Sequence, residues 1–179
     1  MRLSLFPQLR RTVRTNYLYT DASLRGCGGY YLSTQQQALR TLQPASAFAL
    51  HWRSAHHCGE IARLELLPVL HALHRWAGTF RGGELHVFSD NEEAVSGLQT
   101  GRAKRAEVAE VVAAIADAAE RERVTLVPAL VRGADNTLAD ALSRGCRERV
   151  VRLAPGLGKV FAKGKGLGFF DPSYPPLKR

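Results

Sequence analysis

The spacing of the apolar residues changes once along this chain, and that change limits the folds open to it. Up to residue 52 the chain alternates, at Tyr17 and Tyr19, then at Cys27, Gly29 and Tyr31, then within AFALHW at 47–52. A period of two marks strands that bury one face. The first two are joined by a short loop around Leu24, Arg25 and Gly26, so the three segments predict an antiparallel meander. From residue 61 the period lengthens. Leu64, Leu67, Leu70, Leu73 and Trp76 predict an amphipathic helix over 61–77 that ends near Gly78. Pro68 stands inside it, where it removes one backbone hydrogen bond and kinks the axis unless the helix starts late. GELHVFSD, 83–90, predicts a strand running into a helix capped by Asp90 or Asn91, with Glu92 and Glu93 in its first turn. Residues 104–122 predict a helix with a Val108, Val111, Val112 and Ile115 face. VTLVPALV, 124–131, is a further strand, and DNTLADALSR, 135–144, a short final helix that opens on a capping residue. The order β-β-β-α-β-α-α-β-α requires a mixed sheet with helices to cover its faces.

With 45% hydrophobic residues among 179, the chain can bury a core of its own, which excludes wholesale disorder. No apolar run approaches the roughly 20 residues of a membrane span. The opening MRLSLFPQLRRTVR is broken by Pro7 and four arginines and does not read as a secretion signal. A cytoplasmic or nuclear setting is therefore expected. Cys27, Cys58 and Cys146 are widely spaced and odd in number, which fits free thiols in a reducing compartment. The net charge of +9 is unevenly spread. Residues 1–16 carry four arginines and no acid, while 145–179 carry eight Lys/Arg against Glu148 and Asp171. Between them, 17–144 holds 13 basic and 14 acidic residues. A near-neutral body, 17–144, thus carries a basic N-terminal arm, 1–16, and a basic Gly/Pro-rich tail, 145–179, expected to be extended. Such arms attract phosphate backbones or anionic surfaces, or serve only as solubilising ends of a domain cut from a larger protein.

Four acids stand where strand ends and helix starts meet. Asp21 ends the first strand, among Tyr17, Leu18, Tyr19 and Thr20, although Asp is depleted in strands and costly to half-bury alone. Glu65 lies near the start of the first long helix, Asp90 at the end of the fourth strand and Asp140 on the last helix. In an open α/β sheet these positions face a common edge, where active-site crevices form. Acids gathered this way repel one another unless cations neutralise them. Two Mg2+ ions about 4 Å apart, held by hard oxygen ligands, suit both the acids and phosphodiester hydrolysis. Singly, the acids have plainer roles: Asp90 or Asp135 as helix caps, Glu65 as a solvated helix acid, Asp140 as the i,i+4 partner of Arg144. Asp21 has no such role, and the conjunction points to a metal site.

YTDAS…GCGG, LELLPVLHAL, VFSDNEEAV and GADNTLADALSR, in that order over 17–144, resemble the four signature blocks of the ribonuclease H domain of retroelement reverse transcriptases. The type they are most similar to is that of DIRS-like (tyrosine-recombinase) retrotransposons and pararetrovirus-like elements. The resemblance implies an α/β ribonuclease H-like fold, with a five-stranded mixed sheet of order 3-2-1-4-5 and helices on both faces. It implies a metal-dependent endonuclease that hydrolyses the RNA strand of RNA–DNA hybrids during reverse transcription, leaving 5′-phosphate and 3′-hydroxyl ends. Asp21, Glu65, Asp90 and Asp140 would be the catalytic ligands of two Mg2+ ions, with Mn2+ able to substitute. Of these, Asp21 and Asp90 would be central, Glu65 would also sit near the scissile ribose, and Asp140 would serve the second ion. Ser23, Asn91, Arg102, Lys104, Arg105, Arg132 and Asn136 would contact the nucleic acid. The implied partners are the hybrid and a reverse transcriptase domain of the same polyprotein, with no membrane and with the isolated domain monomeric. Two alternatives share the fold: a catalytically weak nucleic-acid-binding domain, and a transposase or integrase relative, whose acid set ends with Glu on a late helix rather than with an Asp like Asp140.

The chain departs from the family pattern in three places. Its loop before the last helix, LVRGADN, offers Arg132 and Asn136 where many cellular members carry a histidine, which implies slower turnover or a phosphate role for Arg132. Pro68 replaces the usual Ala and leaves the aim of Glu65 open. No separate basic, Trp-rich handle helix stands before the long helix; TGRAKRAE leads directly into it. Elsewhere, HWRSAHHC, 51–58, gathers three histidines and a cysteine without regular zinc-ligand spacing and reads as structural. Trp52 and Trp76 read as core. GLGKVFAKGKGLG follows no strand, so it is a basic tail able to lie along a nucleic acid rather than a nucleotide-binding loop.

Overall fold

Burial in the first strand has the expected period of two but the opposite phase, because helices cover both faces of the sheet and the face away from the tyrosines is the deeper one. In β1 (Thr15–Ala22), Asn16, Leu18 and Thr20 are buried while Tyr17 and Tyr19 between them are half-buried. The computed structural model of the chain describes residues 13–34 and 46–157, and the backbone alone of 167–170. Nearly all of the N-terminal arm, residues 35–45 between the second and third strands, and the basic stretches at 158–166 and 171–179 lie outside the described residues. β2 (Gly26–Ser33), β3 (Ser46–Trp52), β4 (Glu84–Ser89) and β5 (Thr125–Leu130) complete the expected five strands. They lie in the order 3-2-1-4-5, antiparallel among the first three and parallel from β1 to β4 to β5.

Helices cover both faces. α1 (Ile61–Arg75), the short α2 (Ala77–Phe80), α3 (Glu92–Thr100) and α4 (Ala106–Glu122) are followed by α5 (Thr137–Ser143) and α6 (Arg147–Leu153). One apolar layer joins Leu64, Leu67 and Leu70 of α1 and Val108 and Ile115 of α4 to Leu18, Phe48 and Val87 of the sheet. The opposite layer joins Leu138 and Leu142 of α5 and Val150 of α6 to Tyr30, Leu32 and Ala49. Trp52 and Trp76 belong to the first layer, as core residues. α1 runs from Ile61 without interruption through Pro68, which is buried within it. The proline therefore forfeits one backbone bond without ending the helix.

The chain does not become an extended tail after Arg144. α5 ends in a Schellman turn: Gly145 has φ 67°, its N–H bonds the Leu142 carbonyl at 3.1 Å, and the Cys146 N–H bonds that of Ala141 at 2.9 Å. This reversal starts α6, and Val150, Ala154 and Leu157 are buried against α5 and the sheet. RERVVRL offers one fully buried side chain in seven residues, too few for a period to register in the sequence. Further on, β6 (Leu167–Phe170) pairs in parallel with β3 and adds a sixth strand at that edge. Its Gly-rich surroundings carry no alternation that marks a strand. Among the described residues no helix is long and apolar enough to cross a membrane.

Candidate active site

Parallel pairing of β1 with β4 places their C-terminal ends side by side, so Asp21 and Asp90 meet at one edge of the sheet. Asp90 is exposed and does not cap α3. That task falls to Asn91, whose Oδ1 accepts the Ala94 N–H at 2.9 Å. Glu65 arrives from α1, and two donors fix its aim. Its Oε1 accepts the Ala22 N–H at 3.1 Å, and its Oε2 accepts the Ser89 hydroxyl at 3.3 Å. Ser89 is in turn held by the Asn91 N–H at 3.2 Å. As a result, carboxylate oxygens of Asp21, Glu65 and Asp90 lie within 4.8 Å of one another. Among the described residues no other group of three or more His, Cys, Asp or Glu side chains gathers in this way. His56 and His57 instead share Glu60, at 3.2 and 3.6 Å.

The electrostatics follow from depth. Asp21 is only 6% exposed, and burial lifts its carboxyl from an ordinary 3.8 to about 6. The Ser143 hydroxyl pulls it back, while Asp90 and Asp140 push it further up. Glu65, 3% exposed, is held well above the usual carboxylate range, by burial first and by the Asp21 charge second. Both acids thus carry protons in the native state at pH values where the unfolded chain has released them. Stability of the ion-free protein therefore falls as pH rises from about 4 through about 6. In EDTA, the thermal midpoint is expected to decline across that interval. With millimolar Mg2+ the gain over EDTA is expected to grow as pH passes 6, because the ion competes with protons for the same oxygens. A gain that shrinks with rising pH would contradict the assignment.

Asp140 is not part of the trio. Its Oδ1 accepts Arg144 Nε, so the i,i+4 pairing is present, and its Oδ2 accepts Arg149 Nη1 at 2.7 Å. It is coupled to Asp21 through Ser143, whose hydroxyl donates to Asp21 Oδ2 and lies 3.0 Å from the Asp140 carbonyl. Ser89, Ser143 and Arg149 are site residues that sequence reasoning missed. The two serines sit inside the VFSD and ADALSR blocks, each a turn or less from an acid; Arg149 had no comparable signal.

The residues expected to contact nucleic acid are scattered. Ser23 is 9% exposed, closes the β1–β2 turn by accepting the Arg25 and Gly26 N–H groups at 3.2 and 3.3 Å, and lies 3.1 Å from the Ser143 carbonyl. Asn136 is 1% exposed and ties the start of α5 to β1 by donating to the Thr20 carbonyl at 2.8 Å. Both are engaged inside the protein. Arg105 pairs with Glu93 at 3.0 Å and donates to the Gly59 carbonyl, and Arg132 pairs with Asp135 at 2.6 Å. Arg102 and Lys104 are exposed and line, with Arg105, a groove between α3 and the start of α4. Asn91 and Arg144 line the cavity that holds the acid trio.

No protein-family model matches the chain, and no curated protein is similar to it in sequence. Solved structures are similar in fold. The N-terminal RNase H domain of rv2228c from Mycobacterium tuberculosis superposes with a TM-score of 0.60 at 14% identity, over 73% of this chain and 97% of that one. LC11-RNase H1, isolated from compost by a metagenomic approach and solved in complex with an RNA/DNA hybrid, gives 0.56 at 17%, over 72% and 92%. The protease-reverse transcriptase of prototype foamy virus gives 0.52 at 16%, over 74% of this chain and 20% of that one. The fold is that of ribonuclease H. That fold implies divalent metal ions, and the residues present fit them. All three donors are carboxylate oxygens, the hard ligands that Mg2+ and Mn2+ select. Two are buried and repel one another, a charge imbalance that a cation relieves.

Proposed function

We propose that the chain is a metal-dependent ribonuclease H that hydrolyses the RNA strand of RNA–DNA hybrids, and that it serves as such a domain in a retroelement reverse transcriptase. The observation that carries this is the convergence of Asp21, Glu65 and Asp90 at the C-terminal edge of β1 and β4 in a ribonuclease H fold. The hybrid bound by LC11-RNase H1 and the reverse transcriptase of foamy virus support the substrate and the context. The four sequence blocks favour the DIRS-like or pararetrovirus-like type. In this reading Asp21, Glu65 and Asp90 would hold one Mg2+ and Asp140 would serve a second, and the products would carry 5′-phosphates. When bound, the ions supply an activated water and stabilise charge on the leaving oxygen. The chain's own part is orientation. Ala22 N–H and Ser89 keep Glu65 aimed at the edge, Ser143 holds Asp21, and exposed Asp90 faces the substrate. Arg102 and Lys104, outside the site, meet backbone phosphates and set register. The basic arm before residue 17 and the lysines beyond α6 extend that contact, on a monomer that works in cytoplasm or nucleus.

The test incubates the protein with labelled RNA–DNA hybrid, double-stranded RNA and double-stranded DNA, in Mg2+, Mn2+ or EDTA. Cleavage confined to hybrid RNA, absent in EDTA and lost in Asp90→Asn, is the expected result. Equal cleavage by Asp90→Asn would reject the site. Binding of hybrid without cleavage in any metal would make this a nucleic-acid-binding domain instead.

A further inference from the structure

The two oxygens of the Asp140 carboxylate are both occupied, one by Arg144 and one by Arg149 at 2.7 Å. The first guanidinium comes from the end of α5 itself. The second comes from α6, the helix that exists because Gly145 reverses the chain and Val150 anchors it to the core. Asp140 is therefore the one acid of the four whose charge is already balanced by the protein. Two guanidiniums take two of the roughly four lone-pair sites of this carboxylate and set two positive charges beside it, so a cation that approaches its oxygens is repelled until a guanidinium moves aside. The pair is half-exposed, with Asp140 at 23% and Arg149 at 40% side-chain exposure, so it adds little to the stability of the fold. Its consequence lies at the site, where Arg144 also lines the cavity of the trio.

Building on the ribonuclease reading, we propose that Arg149 is a positioning residue that withholds Asp140 from divalent ions, so that the ion-free protein takes up one ion at Asp21, Glu65 and Asp90 and admits a second only when Arg149 yields. The metal dependence of the site is thereby set from α6, an element outside the four sequence blocks. Arg149 acts through Asp140 and reaches no substrate atom. Without it, Asp140 keeps only Arg144 and turns a free oxygen towards added cations.

Mn2+ binding to the full chain, followed at pH 7.5 by the electron paramagnetic resonance signal of the free ion, tests this without reference to turnover. Wild-type protein is expected to show one tight site and one much weaker. In Arg149→Ala the weaker site is expected to tighten by about tenfold, the scale of one half-exposed charge removed from a few ångströms away. Arg149→Lys should fall between the two, since an ammonium restores the charge but not the planar fork. Arg147→Ala removes the same charge from the same helix without touching Asp140, and should bind as wild type does. Identical isotherms for wild type and Arg149→Ala would overturn the proposal, as would equal tightening in Arg147→Ala. A lowered thermal midpoint in Arg149→Ala with unchanged ion binding would assign the pair to α6 packing and overturn it too. Failure of the ribonuclease reading has a separate signature: no tight site in wild type, or a tight site that survives Asp21→Asn.

Discussion

Asp21→Asn is expected to abolish hydrolysis of hybrid RNA and, in the same protein, to raise stability in the absence of metal. The two effects share one cause. A carboxyl lifted from 3.8 to about 6 makes the native state at neutral pH less favourable by about 3 kcal/mol when it ionises. The amide carries no charge, so that term vanishes, and its oxygen still accepts the Ser143 hydroxyl that Asp21 accepts. We expect a gain of about 2 kcal/mol in EDTA at pH 7, after allowance for imperfect amide packing. The Coulombic push on Glu65 from Asp21 also disappears. Hydrolysis, by contrast, depends on the charge. Loss of several kcal/mol of metal-borne stabilisation corresponds to about a thousandfold in rate. Urea unfolding in EDTA and single-turnover cleavage read the two sides. Asp90→Asn gives the contrast: Asp90 is exposed and only a secondary cause of the lift on Asp21 and Glu65, so its removal is expected to cost activity while stabilising the fold much less than Asp21→Asn does. An Asp21→Asn protein that unfolds more easily than wild type would show that the ionised carboxylate is at home in its site, and the buried-charge account would be lost.

What the sequence disclosed depends on how many residues voice each feature. β1 was legible because Thr15 to Thr20 alternate, and α4 because its seventeen residues carry a Val108, Val111, Val112 and Ile115 face. The acid trio was legible because Asp21 is so poorly suited to a strand that only a site explains it. Second-rank features rest on single residues. Whether Asp90 or Asn91 caps α3 turns on one hydrogen bond, and the freedom of Asp90 follows from it. Ser23 and Asn136 have the polar side chains of surface contacts, and only three-dimensional proximity reveals that they fasten a turn and a helix start. Pro68 argued locally against a continuous α1, but apolar contacts on both sides of it outweigh one missing bond. α6 escaped notice for lack of length, and with it Arg149. Gly145 was its one marker, since a glycine just past a helix end is the usual sign of a Schellman reversal.

The glycines of GCGG make the strongest structural demand of any block, and Gly28→Ala is expected to damage fold and site together. Gly28 faces Asp21 across the β1–β2 ladder, and α5 lies directly on its Cα. A methyl group there would fall 2.4 Å from Leu142 Cβ, 2.7 Å from Ser143 N and 2.8 Å from the Leu142 carbonyl carbon. Two of those atoms are backbone, so no rotamer change relieves the contact and the helix itself must lift. Overpacking of this kind costs about 3 kcal/mol. The lifted helix carries Ser143 away from Asp21 and Asp140 away from the site, so cleavage is expected to fall well beyond what partial unfolding explains. Gly78→Ala serves as the control. It lies in α2 with nothing within 4 Å of an added Cβ, and replacing a helical glycine stabilises by about 0.5–1 kcal/mol. Thermal denaturation of both variants, with cleavage measured at a temperature where each is fully folded, separates the terms. If Gly28→Ala matches Gly78→Ala in stability, α5 does not dock on β2 as described, and the coupling of Asp140 to Asp21 through Ser143 falls with it.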